Sequence, residues 1–220
     1  MCGCETLSFG TAVYTNDRCR IMRDSLLLAR FALSSLPDGF HGSLVDICAG
    51  NGAVGLAMLD EGFGGSADFV EIDPDACALL RRGVDENGLD KRCAVFERDL
   101  REFKPETKYD IAVCNPPYFD PARGDVAAAR SGTARSELLC TLEDVLHCAA
   151  RSLKERSRLF LCYRPERLAR LFAAAAGCGF APKTAAFVRK SPESEPWLVL
   201  VELRLHGGEG LRILPDIIDR

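Results

Sequence analysis

A short apolar run, Leu44 to Ala49, passes directly into Gly50-Asn51-Gly52-Ala53-Val54-Gly55. Glycines at the G-x-G-x-x-G spacing let a chain leave a buried strand, turn tightly and enter a helix with backbone amides open to a ligand. Such a junction belongs to a βαβ unit, so the remaining sequence must supply parallel partners. Apolar runs at 67–72, 92–97, 109–114, 158–163 and 197–205, with a further one near 183–188, alternate with stretches of helical period. Pro74 opens one helix, whose Ala76, Leu79, Leu80, Gly83 and Val84 share a face and which Asn87-Gly88 ends. Others are expected at about 136–153, at 165–177, and at 24–36 with Asp24 or Ser25 as N-cap.

The expected fold is therefore α/β: a doubly wound, mostly parallel seven-stranded sheet with helices on both faces. The last two runs lack an intervening helix and should pair as an antiparallel C-terminal hairpin. We expect one domain over residues 1–220, with 1–43 as a cap segment and helix and 44–220 as the core. A content of 47% hydrophobic and 27% charged residues suits a globular domain with a sizeable core.

The longest run without Asp, Glu, Lys or Arg is the 13 residues from Ile47 to Leu59, too short for a bilayer that needs about 20. The start, Met-Cys-Gly-Cys-Glu, has neither a basic nor an apolar leader segment, so a cytoplasmic location is expected. The 11 cysteines are odd in number and contain no Cys-x-x-Cys, which argues against a disulfide framework and for no metal. Cys48, Cys114 and Cys162 sit in apolar runs, where a thiol acts as a small hydrophobe. A net charge of −4 gives no global attraction to nucleic acid, so such a partner would need a local patch. Arg18, Arg20 and Arg23 form one candidate and Arg123, Arg130 and Arg135 another.

Acidic residues follow the successive strands in order. Asp46 lies within the first, Glu71 ends the second 21 residues beyond Gly50, and Asp99 follows the third. A carboxylate at Glu71 can accept from both hydroxyls of a ribose, and Asp99 from an adenine amine. Asp46 beside the loop disfavours an anionic pyrophosphate and favours a cationic cofactor such as S-adenosylmethionine. The candidate cofactor wall is Asp46, Cys48, Ala49, Gly50, Asn51, Gly52, Glu71, Ile72, Asp99 and Leu100, with Asn115 at its end.

Asn115-Pro116-Pro117-Tyr118 follows the fourth strand at the carboxyl edge, where open α/β sheets bind ligands. Pro117 biases Pro116 towards extended geometry, which can turn the Pro116 carbonyl outward. With the Asn115 side-chain oxygen it makes a pair of acceptors for a flat amine carrying two N–H donors. A conjugated amine is a poor nucleophile; two acceptors that grip its hydrogens favour a pyramidal nitrogen and direct its lone pair. Tyr118 offers a stacking ring, worth about 1–3 kcal/mol per base in single-strand binders. Positioning then carries the reaction without a dedicated base.

These ordered motifs resemble those of class I S-adenosylmethionine-dependent methyltransferases acting on planar amines, among them adenine-N6, guanine-N2 and protein glutamine enzymes. Asp17-Arg18-Cys19-Arg20, Asp24 to Leu28, Thr141 to Leu146, Arg164 to Leu168 and Gly210 to Pro215 resemble the bacterial valine-tRNA (adenine-N6) methyltransferases over nearly the whole chain. Cys48 stands where that family usually has a glycine. The resemblance implies S-adenosylmethionine as cofactor and tRNA as substrate; a monomer is the favoured state. Arg20, Phe119, Arg123, Arg130 and Arg135 are the expected RNA contacts, with the segment from Phe119 to Ser136 ordering on the RNA. Ribosomal RNA guanine and release-factor glutamine stay open as substrates, and an inactive RNA-binding scaffold stays open as a different kind of role.

Overall fold

The computed structural model describes residues 2–116 and 140–219. The central strands are β3 (Ser43–Ile47), β4 (Ser66–Glu71), β5 (Cys93–Glu97), β6 (Tyr109–Cys114) and β7 (Leu153–Tyr163), followed by β8 (Phe180–Arg189) and β9 (Leu198–Leu205). They lie in the order β8-β9-β7-β6-β3-β4-β5. The β5-β4-β3-β6-β7 half is parallel, and β9 runs antiparallel to both β7 and β8. This is the expected α/β methyltransferase-type sheet with its antiparallel hairpin. Two strands of two residues, β10 (Arg212–Ile213) and β11 (Ile217–Ile218), add to β8, making nine described strands in this sheet.

Successive strand residues point to opposite faces, so the sheet feeds two cores. In β7, Leu159, Leu161 and Tyr163 pack towards α4 (Leu142–Ser152) and α5 (Leu168–Gly177). Phe160 and Cys162 pack towards the other face, with α1 (Arg23–Ser34), α2 (Ala53–Asp60) and α3 (Pro74–Glu86). There Phe31 of α1 meets Phe160 edge-on, ring centroids 6.0 Å apart. α2 has six buried residues, Ala53 to Met58, because it is wedged behind the loop.

Three expected elements shift. The helix expected at 136–153 begins at Leu142 because Thr141 and Asp144 form a reciprocal capping box, and it gives way to β7 at Leu153. Pro165 opens a three-residue 3-10 turn before α5 rather than the helix itself. Asp24 and Ser25 are not caps: Met22 holds the N-cap position without a side-chain bond, and the side chains of Asp24 and Ser25 turn to the end of β6.

A hairpin, β1 (Gly3–Thr6) with β2 (Ala12–Thr15), precedes α1 and has no counterpart in the sequence-based expectation. Side chains from other elements hold it. Asp60 accepts from the amides of Phe9 and Thr11, Asn87 brackets Ala12, and the Asn51 amide donates to the Tyr14 carbonyl. The segment 16–22 then crosses the carboxyl edge of the sheet to reach α1.

Candidate active site

A cleft of about 410 Å³ lies at that edge, bounded by the β3–α2 loop, the ends of β4 and β5, the end of β6 and the crossing segment. The loop forms because three residues accept positive φ: Cys48 at 59°, Gly50 at 57° and Gly52 at 81°. Cys48 thus adopts the left-handed backbone that glycine takes more easily. A Cβ added at Gly50 would meet nothing within 4 Å, so this backbone faces open space. At Gly52 a Cβ would come 2.3 Å from Leu80 Cδ1, so this glycine serves the packing of α2 on α3.

Cys48, Ala49, Gly50, Asn51, Glu71, Ile72, Asp99, Leu100, Asn115, Pro116 and Arg20 all line the cleft, whereas Asp46 and Gly52 do not. Pro117, Tyr118, Phe119, Arg123, Arg130 and Arg135 lie outside the described residues. Asp46 sits beneath the loop at 1% exposure. Its Oδ2 accepts from the Gly55 amide at 2.9 Å and its Oδ1 has no partner among the described residues. Burial is the main cause that raises its pKa to about 7, against the opposing Gly55 bond. Its role here is to brace the first turn of α2, one layer below the wall.

Glu71 is fixed in place by the amides of Gly50, Ile72 and Asp73, each at 2.8 Å. Two carboxylate oxygens offer about four acceptor sites, so capacity remains for hydroxyls presented from the cleft. Asp99 is gripped by the Arg101 guanidinium and backbone amide, and the guanidinium bond is the main cause that lowers its pKa. Ile72, Leu100 and Val54 add apolar surface between these acids. Cys48 is a neutral thiol: a hydrogen bond shared with Cys114 is the leading cause that holds its pKa well above the ordinary value. Among the described residues no three His, Cys, Asp or Glu side chains converge as a metal site.

At the end of β6, half-buried Asn115 projects from the strand into a polar cluster. Its Oδ1 accepts from the Cys162 thiol at 2.9 Å, and its Nδ2 donates to Asp24 Oδ1 and Ser25 Oγ, each at 3.0 Å. A carbonyl-type oxygen has two lone pairs, so one acceptor site remains beyond the weak thiol donor. The Pro116 carbonyl accepts no backbone bond among the described residues. Asn115 and Pro116, which carry these oxygens, line the same cleft as the glycine loop.

Sequence reasoning missed most of the crossing segment. Asp17, Arg18, Cys19, Met22, Asp24 and Ser25 also line the cleft, as do Asp73, Arg98 and Cys140. The signals there were the clustered arginines 18, 20 and 23 and the family resemblance of Asp17 to Arg20 and Asp24 to Leu28, neither of which assigned a wall. Nothing in the local pattern distinguished a wall-forming Asp24 from a helix cap.

Comparisons with known proteins agree with this geometry. The chain is 26% identical over 192 residues to a tRNA1(Val) (adenine(37)-N6)-methyltransferase of Parabacteroides distasonis, covering 86% of this chain and 78% of that one. It is 24% identical over 164 residues to the protein of the same name from Aliivibrio fischeri, covering 74% and 69%. Its fold is similar to the crystal structure of a predicted O-methyltransferase from Agrobacterium tumefaciens, with a TM-score of 0.68 at 22% identity, covering 89% and 86%. Residues 25–166, from Ser25 of the Asn115 cluster through the glycine loop to the turn after β7, match the methyltransferase small domain, and the chain belongs to that family of methyltransferases.

Proposed function

We propose that this methyltransferase moves a methyl group from S-adenosylmethionine to the N6 amine of an adenine in tRNA, the adenine being in the anticodon loop of a valine tRNA. The observation that carries the reading is the Asn115–Pro116 edge: two residues with carbonyl-type oxygens line the same cleft as a loop whose Gly50 backbone is open. The Parabacteroides and Aliivibrio relatives, both tRNA adenine-N6 enzymes, support the choice of substrate.

The residues fit the cofactor. Open space at Gly50 admits a close ligand, and carboxylates at Glu71 and Asp99 line a wall without lysine among the described residues. That lining suits a phosphate-free nucleoside with a cationic tail. Glu71 would hold the ribose, Ile72 and Leu100 would sandwich the purine, and Asp99 would accept from its amine. When bound, S-adenosylmethionine supplies an electrophilic methyl carbon on positive sulfur.

The chain's own contribution is orientation. Asn115 Oδ1 and the Pro116 carbonyl would each accept one N–H of the target amine, which turns its lone pair towards the loop. The proton released after transfer needs only a nearby acceptor, so geometry supplies most of the rate. Arg20 and Arg98, exposed at the mouth and without an ion pair among the described residues, would neutralise backbone phosphates on either side of the extruded base. Phe119, Arg123, Arg130 and Arg135 would extend that contact, with Tyr118 stacking on the base. A cytoplasmic monomer suits this work, and no helix among the described residues is long and apolar enough to cross a membrane.

The test is to incubate the protein with labelled methyl donor and, in parallel, total tRNA, total ribosomal RNA and purified release factor, then to digest the product. We expect N6-methyladenosine in the tRNA arm. Label in guanine-N2 or glutamine would replace the substrate reading, and no label with donor bound would replace it with a scaffold role. Asn115→Ala should abolish transfer while donor affinity, read by calorimetry, stays within a few-fold.

A further inference from the structure

Asp24 and Ser25 stand at the start of a helix, where such residues ordinarily accept from the first free amides. Here the N-cap is Met22, without a side-chain bond, and both side chains reach across to Asn115 at the end of β6. They are buried, at 7% and 6% exposure, so the arrangement removes a carboxylate and a hydroxyl from water. Such a placement is costly unless strong bonds repay it.

What the bonds accomplish follows from the shape of an amide. The oxygen and nitrogen of Asn115 are nearly isosteric, so a half-turn about its last bond exchanges an acceptor for a donor at almost no steric cost. Only hydrogen bonds decide which atom is directed to Cys162 and the cleft. In the observed orientation Nδ2 meets two acceptors, Asp24 Oδ1 and Ser25 Oγ, and Oδ1 meets the one donor, Cys162 Sγ. Reversed, the amide oxygen would oppose the Asp24 carboxylate, and the NH2 would face the thiol and any incoming amine. A flat amine cannot bind a donor through its own N–H groups.

We infer that Asp24 and Ser25 are positioning residues that lock the Asn115 amide with its oxygen available to the substrate amine. The inference rests on the proposed role of Asn115 as amine acceptor, and it holds for adenine, guanine or glutamine alike. Asp24 Oδ1 also accepts from the Ser25 amide at 2.7 Å, so the two residues form one rigid unit at the helix start.

The experiment compares Asp24→Ala, Asp24→Asn, Ser25→Ala, Asn115→Asp and the exchange pair Asp24→Asn with Asn115→Asp. Kinetics use whichever amine substrate the parallel labelling identifies, so a failure of the tRNA reading is seen in wild type and leaves this comparison intact. Asp24→Ala should lower kcat about 10- to 100-fold, as expected for losing a charge-assisted bond, with KM for the donor within about twofold. Asp24→Asn keeps an acceptor oxygen and should retain more activity. Ser25→Ala, the mildest change to packing, should lose less than Asp24→Ala but more than twofold. Asn115→Asp sets two carboxylates face to face, and the exchange pair restores one donor and one acceptor with roles reversed. It should be at least tenfold faster than Asn115→Asp alone, whereas losses that merely multiply would overturn the proposal.

A second measurement needs no turnover. The side-chain NH2 signals of Asn115, identified by their absence in Asn115→Asp, should exchange slowly with solvent in the free protein and rapidly in Ser25→Ala and Asp24→Ala. Unchanged exchange in both variants would likewise overturn the inference.

Discussion

At the scale of single residues, burial decides what an acidic side chain can do. Asp46 lies within one strand and Glu71 ends its neighbour, and in sequence both read as residues of the cofactor wall. Glu71 has three amides and an open side; Asp46 has one amide and none. With its folded pKa near 7 against an ordinary value of 3.8, Asp46 favours the protonated folded state between those values. Because that pKa is raised, stability falls as pH rises from about 4 to about 7 and is then level, with a slope of at most about 1.4 kcal/mol for each step of one in pH. Asp46→Asn keeps an acceptor for Gly55 and removes the ionisation. Melting curves should show the variant gaining on wild type as pH goes from 5 to 8, and a constant difference would contradict the assignment. That Asp46 braces rather than lines the cleft was not legible in sequence, since strand position alone does not say which side of a loop a carboxylate faces. Asp24 and Ser25 misled for a related reason: local pattern marks them as caps, and only the distant end of β6 gives them another partner.

Among elements, the alternation of apolar runs with helical stretches revealed a mostly parallel sheet, because burial on both faces leaves continuous apolar segments, and the missing helix between the last two runs revealed the antiparallel ending. The β1–β2 hairpin was illegible. All four β1 residues are exposed, and its anchors, Asp60 and Asn87, lie far along the chain. The glycine loop was legible as a turn, but the three glycines divide their duties. Gly50 opens to the cleft, Gly52 packs against Leu80, and Gly55 lies under Phe69, where a Cβ would come 2.5 Å from Cε1. Gly52→Ala combines a φ of 81° with that contact on α3. It should cost about 1–3 kcal/mol and lower Tm by about 2–4 °C per kcal/mol. Gly50→Ala bears the backbone strain alone, so its thermal loss should be smaller while donor affinity, by calorimetry, falls more.

Across the whole molecule, the site is held together by residues far apart in sequence. Asp219 is 3% exposed, and its carboxylate bridges Arg23, at the start of α1, and Lys190, just past the end of β8, the latter at 2.7 Å. Burial alone would raise its pKa; Lys190 and Arg23 overcome that and hold it below 3.8. This bridge therefore contributes at neutral pH and is lost only as pH falls through the lowered value. Asp219→Asn should lower Tm at pH 7 by an amount that shrinks as pH falls below 3.8, and it should reduce kcat more than donor affinity because Arg23 adjoins Asp24. Equal melting at pH 7 would show that the bridge is not needed.

The order of synthesis gives that bridge a further meaning. During synthesis, the glycine loop and Asn115 are made well before Asp219. A growing polypeptide therefore reaches the carboxylate that fastens α1 only after every described cleft-lining residue, the last of them Cys140, has been made.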